Sequence, residues 1–567
     1  MAGARIVSTN VMPQRASLGQ PGPPDPHAMV GEDGKLRRRL GFWSLLAIGV
    51  GSVIGSGWLF SAMYAANAAG PASLVSWVVG GVLMLLIALV FAELGMAHPE
   101  SGALVRYPLY SNGRLAATVV GFATWLAFVG NPPTEASGVV QYASTWLGGV
   151  YDAKAGKLTG SGIVLAIVLM GLFVLLNYFG VRLFAKSNNV VTAIKVGIPV
   201  TTAVLLVVSG FDHQHGAGGV ANLHAHGGFA PAGYATALAA IASAGLIFAY
   251  TGFRNIVELA GEVTHPRRDI PRALVATIVL TIVLYLALQL AFLLAVPDNL
   301  LAARGWQGIN FDSPFADLAQ LLGMTWLFWL LLADSSLSPS GSGIVYTASN
   351  ARNVYGMAKN GLLPAAVMRI HDRSGVPRRA LLLNFVIGVA FLLPLPSWHQ
   401  IVSTLSTLVV FTFSIGSVTL MAFRSQGVTA ETDRLRGMRI IAPAAFVVSS
   451  LVIFWATWTD LRGTIPVMVV AIGWYCAAAA RRRRSRGGPV FARDDLRGGG
   501  WLVVYVVVMY LMSYAGSYGG RGWIPAPWDS VVTACLSAFC YAWAVRAGIR
   551  YLAAHPFRAH APGHDEQ

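Results

Sequence analysis

Charged residues are scarce in this sequence. Asp, Glu, Lys and Arg together make up 11% of its 567 residues, whereas hydrophobic residues make up 55%. Soluble domains carry about 25% charged residues, so the composition excludes a soluble globular fold. Apolar runs long enough to cross a bilayer recur along most of the chain, and such runs are typical of a polytopic membrane protein.

Cysteines and catalytic motifs are also few. The three cysteines, Cys476, Cys535 and Cys540, all lie in apolar segments, and we interpret them as small buried hydrophobic residues. Motifs for binding nucleotide phosphates, for zinc-dependent hydrolysis or for a nucleophilic serine do not occur. The sequence therefore gives no basis for an enzyme, a cofactor or a metal centre.

About fourteen apolar spans are predicted, which makes the fold class an all-α polytopic membrane protein. They lie at about 42–63, 72–97, 115–148, 161–178, 190–209, 237–260, 274–296, 316–348, 380–395, 400–422, 440–459, 464–480, 501–516 and 530–547. We number them as spans 1 to 14 in chain order. An even number of spans puts both termini on the same side of the membrane.

The formal net charge is +16, and the distribution of the basic residues along the chain agrees with the predicted topology. If the N-terminus is cytosolic, most of the 40 Lys and Arg residues lie in cytosolic loops and tails, including the RRRRSR run at Arg481–Arg486. The positive-inside rule then explains the excess and predicts cytoplasmic termini in the cell membrane. These basic residues can contact anionic lipid headgroups, and nucleic acid is not expected as a partner.

We expect four regions along the chain. Residues 1–40 are polar and Pro-rich, which predicts a disordered cytosolic arm. Residues 41–425 form the core, 426–548 hold four peripheral spans, and 549–567 form a cytosolic tail. The peripheral spans carry few polar groups, so we interpret them as scaffold or as contacts in a homo-oligomer.

Glycine- and proline-rich interruptions recur at matched places in two blocks of five spans, 42–209 and 237–422. Span 1 contains GVGSVIGSG around Gly55, span 6 contains FAYTGF around Gly252, span 3 contains GNPP and span 8 contains SPSGSG. Because five is odd, the two blocks cross the membrane in opposite directions. Paired interrupted helices in inverted repeats are typical of the binding site of a secondary transporter. Close helix packing through small residues remains the alternative for each helix taken alone.

Several motifs resemble those of the amino acid–polyamine–organocation (APC) superfamily, which has the LeuT-type five-plus-five fold. The resemblance rests on GSVIGSG in span 1, FAYTGF with the following AGEVTHPRRDIPRA, AELGMAHPESG, NYFGVR and RNVYGMAKNGLLP. The combination of GSGWLF, ESGALVRYP, GFRN and SPSG with the extra C-terminal spans is most similar to the fourteen-helix aspartate/glutamate–proton symporter branch.

The resemblance implies a substrate site at the interruptions of spans 1 and 6. Its candidate residues are Gly51, Ser52, Ile54, Gly55, Ser56, Gly57, Phe248, Tyr250, Gly252 and Arg254. Peptide N–H groups freed at the break in span 1 would bind a carboxylate. Arg254 could clamp a second carboxylate, which favours aspartate or glutamate as the substrate. The alternative is an Arg254–Glu258 ion pair at helical spacing.

Ionisable groups at membrane depth are the candidates for proton coupling. The resemblance implies that Lys195 replaces a sodium ion, donating to span 1 carbonyls near Gly51 and Ser52 and to the hydroxyl of Ser338 or Ser342. A lysine snorkelling to the cytosolic face is the alternative. Glu135 and Asp334 could carry the proton or could equally be structural partners of Arg254 or Lys195.

Other polar groups and the aromatic residues carry weaker expectations. We expect Glu93 and Glu262 to belong to the inner gate or to the loop structure, with Glu262 near Arg267 and Arg268. Aromatic residues beside the breaks could occlude the cavity or serve only in packing: Trp58, Phe248, Tyr250 and Phe253. A loop before span 6 holds His213, His215, His224 and His226. Such HxH pairs can ligate a metal, but the glycine content of this loop favours a flexible segment.

The sequence predicts a secondary active amino acid transporter that couples to protons and has acidic amino acids as candidate substrates. Its partners are the small-molecule substrate, protons and membrane lipids. The alternative is an amino acid or polyamine exchanger without net proton coupling, in which Lys195 is structural. A membrane sensor or an integral-membrane enzyme would need a catalytic cluster or a long cytosolic domain, and neither is present.

Overall fold

A computed structural model describes the chain over residues 40–100, 102–179, 182–211, 216–369, 377–486 and 493–556. Side chains at 182–190, 365 and 482–486 are outside this description, as are the predicted arm up to residue 39 and the tail from residue 557. The division into an arm, a core, peripheral spans and a tail stays a prediction.

Helices dominate the described residues. They are α1 Phe42–Val53, α2 Ser56–Ala69, α3 Ser73–Ala97, α4 Ala103–Val129, α5 Asn131–Ala143, α6 Gly160–Phe179, α7 Arg182–Phe211, α8 Tyr234–Ser243, α9 Leu246–Tyr250, α10 Arg254–Glu258, α11 Pro266–Ala295, α12 Asp298–Arg304, α13 Pro314–Leu321, α14 Thr325–Lys359, α15 Arg378–Leu392, α16 Trp398–Ser425, α17 Met438–Trp455, α18 Trp458–Arg462, α19 Ile465–Arg486, α20 Arg493–Ala515 and α21 Trp528–Ala554. A short antiparallel hairpin joins β1 Tyr151–Asp152 to β2 Lys157–Leu158.

Ten helical segments of the described residues are long and apolar enough to cross a membrane, or eleven if the bent pair α8 and α9–α10 counts as one span. This confirms the all-α polytopic fold. The count of fourteen stays a prediction, because α14 is too polar and α15 too short to meet the same criteria. The core is built around α1, which packs against α7, α11 and α14, while α20 and α21 pack against α4.

Span 1 is interrupted, as the sequence predicts. Helix α1 ends at Val53, Ile54 and Gly55 have non-helical backbone angles, and α2 begins at Ser56. Ile54 has φ −81° and ψ 84°, and Gly55 has φ −120° and ψ −143°. The chain therefore unwinds for two residues between two helices. The peptide groups at the facing helix ends lack the partners that a continuous helix would give them.

Span 6 is interrupted within FAYTGF, as the sequence predicts, and it also has a sharper bend that the sequence does not predict. Thr251–Phe253, around Gly252, tightens from α to 3-10 winding. The bend of 55° lies between α8 and α9, where Gly245 has φ 79° in the left-handed region. That conformation is accessible to glycine. Gly252 instead permits the backbones of spans 1 and 6 to lie close together, because a Cβ atom at this position would lie 2.7 Å from Cα of Val53.

The interruption predicted in span 8 is wrong, whereas span 3 is interrupted by one residue of the GNPP segment. Helix α14 runs without a break through the SPSGSG segment, with Pro339 inside it. Gly130, in the GNPP segment, keeps helical angles of φ −75° and ψ −12°, so α4 passes almost directly into α5. The strong deformation of α4 is at Gly113, before the predicted start of span 3, with φ 80° and ψ −174°. Proline removes only one intrahelical hydrogen bond, and a helix packed on all sides can tolerate that loss.

Candidate functional site

The gap between α1 and α2 is the centre of the candidate site. All of the predicted substrate-binding residues, from Gly51 to Gly57 in span 1 and from Phe248 to Arg254 in span 6, are buried. Burial at this depth means that each polar group must find a partner within the protein or on a ligand.

Lys195 reaches the end of α1 from α7. Its Nζ atom donates to the carbonyl oxygen of Gly51 at 2.5 Å and to Oγ of Ser342 at 2.9 Å. The Ser342 hydroxyl is also 3.2 Å from the carbonyl oxygens of both Gly51 and Ile54. Lys195 is only 2% exposed, so it does not snorkel to a membrane surface. An ammonium group thus joins α1, α7 and α14 at the break.

Two tyrosines also donate hydrogen bonds to this end of α1, and the sequence analysis predicts neither of them. Tyr346 on α14 donates to the carbonyl oxygen of Ser52 at 2.9 Å. Tyr285 on α11 donates to the carbonyl oxygen of Val53 at 3.0 Å. The carbonyl groups from Gly51 to Ile54 therefore all have side-chain donors, which replaces the missing helical partners. The available signal was a tyrosine within an apolar span, since a buried tyrosine hydroxyl needs a partner.

Glu135 on α5 faces the other side of the gap, at the start of α2. Its Oε2 atom accepts a hydrogen bond from the Ser56 peptide N–H at 2.7 Å, and the residue is 1% exposed. A Cβ atom on Gly55 would lie 2.9 Å from the same oxygen, so the approach requires glycine. The Ser56 hydroxyl in turn accepts from the indole N–H of Trp398 at 2.8 Å. A carboxylate of the protein therefore occupies the N-terminus of α2, where helices favour anions.

Asp334 and Ser338 form a separate pair on α14. The Ser338 hydroxyl donates to Oδ1 of Asp334 at 2.7 Å, and within the described residues Lys195 donates to Ser342 rather than to Ser338. Of the two predicted hydroxyl partners of Lys195, the structure selects Ser342. Oδ2 of Asp334 is buried without a hydrogen bond among the described residues, so this carboxyl group keeps one free acceptor.

Arg254 is fully buried where α10 begins. Its Cζ atom lies 3.0 Å from the ring centroid of Phe128 and 5.2 Å from that of Tyr346. None of its three guanidinium nitrogens has a hydrogen-bond partner among the described residues. Among the described residues, Arg254 does not form the alternative ion pair with Glu258. When the side-chain amide of Asn353 has its nitrogen toward Glu258, that nitrogen lies 2.8 Å from the Glu258 carboxylate. Arg254 is therefore held by aromatic faces and lacks an acceptor.

Aromatic side chains cover the α2 side of the gap. Trp58 packs on Phe315 with ring centroids 5.5 Å apart, and Phe248 meets Trp398 at 6.1 Å. Tyr250 differs from these residues, because its hydroxyl donates to the carbonyl oxygen of Trp77 on α3 at 3.4 Å. The structure thus brings Phe248 to the gap and turns Tyr250 toward α3.

Ion pairs join the helix ends on the predicted cytosolic side. Glu93 receives two hydrogen bonds of 2.5 Å from Arg424 and one of 2.8 Å from the peptide N–H of Leu435. Glu262 pairs with Arg352 at 3.0 Å rather than with the neighbouring arginines that the sequence suggested. These contacts tie together α3, α14, α16 and the loops beside them.

The histidine-rich loop is described only in part. His213 and His215 lie outside the described residues, and His226 contacts Asp298 with 3.0 Å between Nε2 and Oδ1. The choice between a flexible segment and the metal-binding alternative for this loop is therefore not tested.

A family model described as amino acid permease matches residues 40–477, which covers both interrupted spans and all the site residues above. The chain belongs to the amino acid permease family. Two relatives from Bacillus subtilis cover nearly the whole chain. One is named glutamate/serine transporter AimA, with 38% identity over 91% of this chain and 94% of the relative. The other is named aspartate-proton symporter, with 34% identity over 91% of this chain and 98% of the relative.

More distant members of the family match a smaller share of the chain. Human cationic amino acid transporter 4 is 28% identical over 69% of this chain and 60% of its own length. Family membership and the apolar helices establish a multi-pass membrane transporter of amino acids rather than an enzyme. The assignment of the gap between α1 and α2 and the groups around it to a substrate site stays a prediction.

Proposed function

We propose that this permease is a proton-coupled amino acid symporter of the cell membrane, with cytoplasmic termini and with acidic amino acids as substrates. The observation that carries the proposal is the pair of ionisable groups at the two ends of the gap, Lys195 at the end of α1 and Glu135 at the start of α2. The names of the two Bacillus subtilis relatives include glutamate and aspartate, which supports an acidic substrate, and the name aspartate-proton symporter supports the coupled proton.

Glu135 supplies a physical reason for coupling. The carboxylate of an amino acid would bind the peptide N–H of Ser56 at the N-terminus of α2, and Glu135 already accepts from that N–H. Two carboxylates cannot share a buried site while both are charged. Protonation of Glu135 removes its charge and frees the N–H group, so a proton and a substrate anion enter the site together.

Arg254 supplies a reason for an acidic substrate. A buried guanidinium without a hydrogen-bonding acceptor is costly, and Arg254 has no such acceptor among the described residues. The side-chain carboxylate of aspartate or glutamate would provide two acceptors in the planar geometry that arginine favours. Neutral amino acids would leave the guanidinium unpaired.

The proposed function is tested by uptake into proteoliposomes that contain the purified protein. Aspartate and glutamate should accumulate when the exterior is made acidic and should stop accumulating when the proton gradient is collapsed. Unlabelled aspartate and glutamate should compete with labelled aspartate, whereas lysine and leucine should not. Competition by neutral or basic amino acids alone would contradict the acidic substrate, and accumulation that needs an internal amino acid but no gradient would establish the exchanger instead.

Glu135→Gln is expected to uncouple transport from protons. Glutamine is nearly isosteric and stays neutral, so it imitates protonated Glu135 permanently. Uptake driven by an acidic exterior should fall to the level measured without a gradient, while counterflow of labelled substrate between the two sides should persist. The measurement is uptake at several external pH values in the two assays.

Glu431→Gln is the matched control, because the Glu431 side chain is 92% exposed. That variant should keep the response to the gradient. A Glu135→Gln variant that still accumulates substrate against its concentration under a proton gradient would refute the coupling role of Glu135.

A further inference from the structure

A large cavity lies outside the transport site, between α20 and α21. Its volume is about 860 Å³, and its lining extends from the end where α20 begins and α21 finishes to the middle of α21. Both helices are long and apolar enough to cross a membrane, so this end lies at the boundary between the bilayer and water. The predicted topology assigns it to the cytosolic face.

Three arginines line this cavity: Arg497 from the start of α20, and Arg546 and Arg550 from the last turns of α21. All three are exposed, and no ion pair joins any of them to a carboxylate among the described residues. The acidic residue at the cavity is Asp494, whose carboxylate lies 4.0 Å from Nε2 of His555. The cavity therefore has a surplus of positive charge.

The rest of the wall is apolar and faces outward. Leu496, Phe539 and Trp543 line the cavity with exposed fractions of 46%, 69% and 38%. On a helix at the membrane boundary, such side chains contact acyl chains, and tryptophan favours the headgroup level. A basic rim above an apolar wall matches the two parts of a phospholipid.

We propose that the cavity between α20 and α21 binds one anionic phospholipid, with its phosphodiester group on Arg497, Arg546 and Arg550 and an acyl chain along Phe539 and Trp543. Guanidinium groups bind phosphate oxygens in a planar, bidentate manner. Basic pockets between transmembrane helices on the cytoplasmic side are suited to anionic headgroups. The inference does not depend on the proposed substrate or on proton coupling.

Such a lipid would act on the core through α4. The side-chain amide of Asn112 donates to the carbonyl oxygen of Gly498 at 3.1 Å, and the peptide N–H of Arg114 donates to Asp495 at 2.9 Å. Between them lies the kink at Gly113, where a Cβ atom would fall 2.8 Å from the ring of Tyr551. The lipid would hold α20 and α21 together at the place where both meet α4, and would thereby stabilise the whole fold.

The test compares the thermal unfolding midpoint of the full chain in neutral detergent with added phosphatidylglycerol or phosphatidylcholine. We expect phosphatidylglycerol to raise the midpoint of the wild type and phosphatidylcholine to leave it unchanged. The variant R497Q/R546Q/R550Q should lose this shift. Native mass spectrometry should show one retained phosphatidylglycerol on the wild type and none on the variant.

The control variant R272Q/R436Q/R439Q removes the same charge from the same face, because these arginines are exposed and lie outside the cavity. It should keep both the shift and the bound lipid. Equal loss in the control would show a general charge effect and would overturn the proposal. A shift produced equally by inorganic phosphate would also overturn it, because the site would then bind a free anion. If the cavity variant does not fold, R550Q alone, with its retained lipid measured by mass spectrometry, replaces it: unchanged retention would again contradict the site.

Discussion

Proton-driven uptake is expected to be abolished in Lys195→Ala. The ammonium group donates to the carbonyl oxygen of Gly51 and to the Ser342 hydroxyl, so it holds the end of α1 against α7 and α14. Its removal leaves buried acceptors without their donor, at a cost of about 1–3 kcal/mol for each such group. The substitution also removes the only cation that, among the described residues, donates a hydrogen bond to the carbonyl groups at this end of α1.

The measurement that separates coupling from folding uses two assays on the same vesicles. Lys195→Ala should show no accumulation under a proton gradient, whereas the unfolding midpoint of the variant should still rise when substrate is added, because substrate contacts at the α2 end remain. Lys157→Ala changes an exposed lysine in β2 and should behave as the wild type. Full gradient-driven uptake by Lys195→Ala would contradict the coupling role and would show that this lysine is structural.

The sequence was sufficient for the fold class because membrane burial leaves a direct trace in composition. Long apolar runs separated by charged loops predict the helices, and the helices are found near the predicted places, with α3 at Ser73–Ala97 against a predicted 72–97. The interruption of span 1 was also predictable, since four glycines in one short stretch are costly in a helix.

The finer backbone geometry could not be predicted in the same way. Glycine and proline mark places where a helix can deform, but the surrounding packing decides whether it does. In α14 the segment with Pro339 stays helical, and Gly343 instead lets α6 approach, since a Cβ atom there would lie 2.5 Å from the ring of Phe173. In span 6 the bend is at Gly245. The motif around Gly252 does not include this residue and therefore does not predict the bend.

The candidate site shows the same division. Lys195, Glu135 and Arg254 could be found from the sequence because a charge within an apolar span is costly and seldom accidental. Their partners could not be found, because Tyr285 and Tyr346 reach the end of α1 from spans far away in the sequence. The Arg254 guanidinium likewise has no hydrogen-bond acceptor among the described residues, because Glu258 faces Asn353 instead. This arrangement depends on how the helices pack, which the sequence does not show.

Gly252→Ala is expected to abolish transport through a single added methyl group. The Cβ atom would lie 2.7 Å from Cα of Val53 and closer still to the peptide group before it. These are backbone atoms at the end of α1, so no side-chain rotation can relieve the contact. Overpacking of this kind costs about 1–3 kcal/mol, and relief requires spans 1 and 6 to separate at the gap between α1 and α2.

Uptake and stability should respond to this change together. Proteoliposomes with Gly252→Ala should show no accumulation of aspartate under a proton gradient, and the unfolding midpoint should fall. Gly197→Ala is the matched control on α7, because a Cβ atom there meets nothing within 4 Å and alanine favours a helix by about 1 kcal/mol. The control should transport normally and should be no less stable than the wild type. Since spans 1 and 6 must both contact the substrate in the proposed mechanism, normal uptake by Gly252→Ala would mean that their close approach is not needed for transport, and the site would have to lie elsewhere.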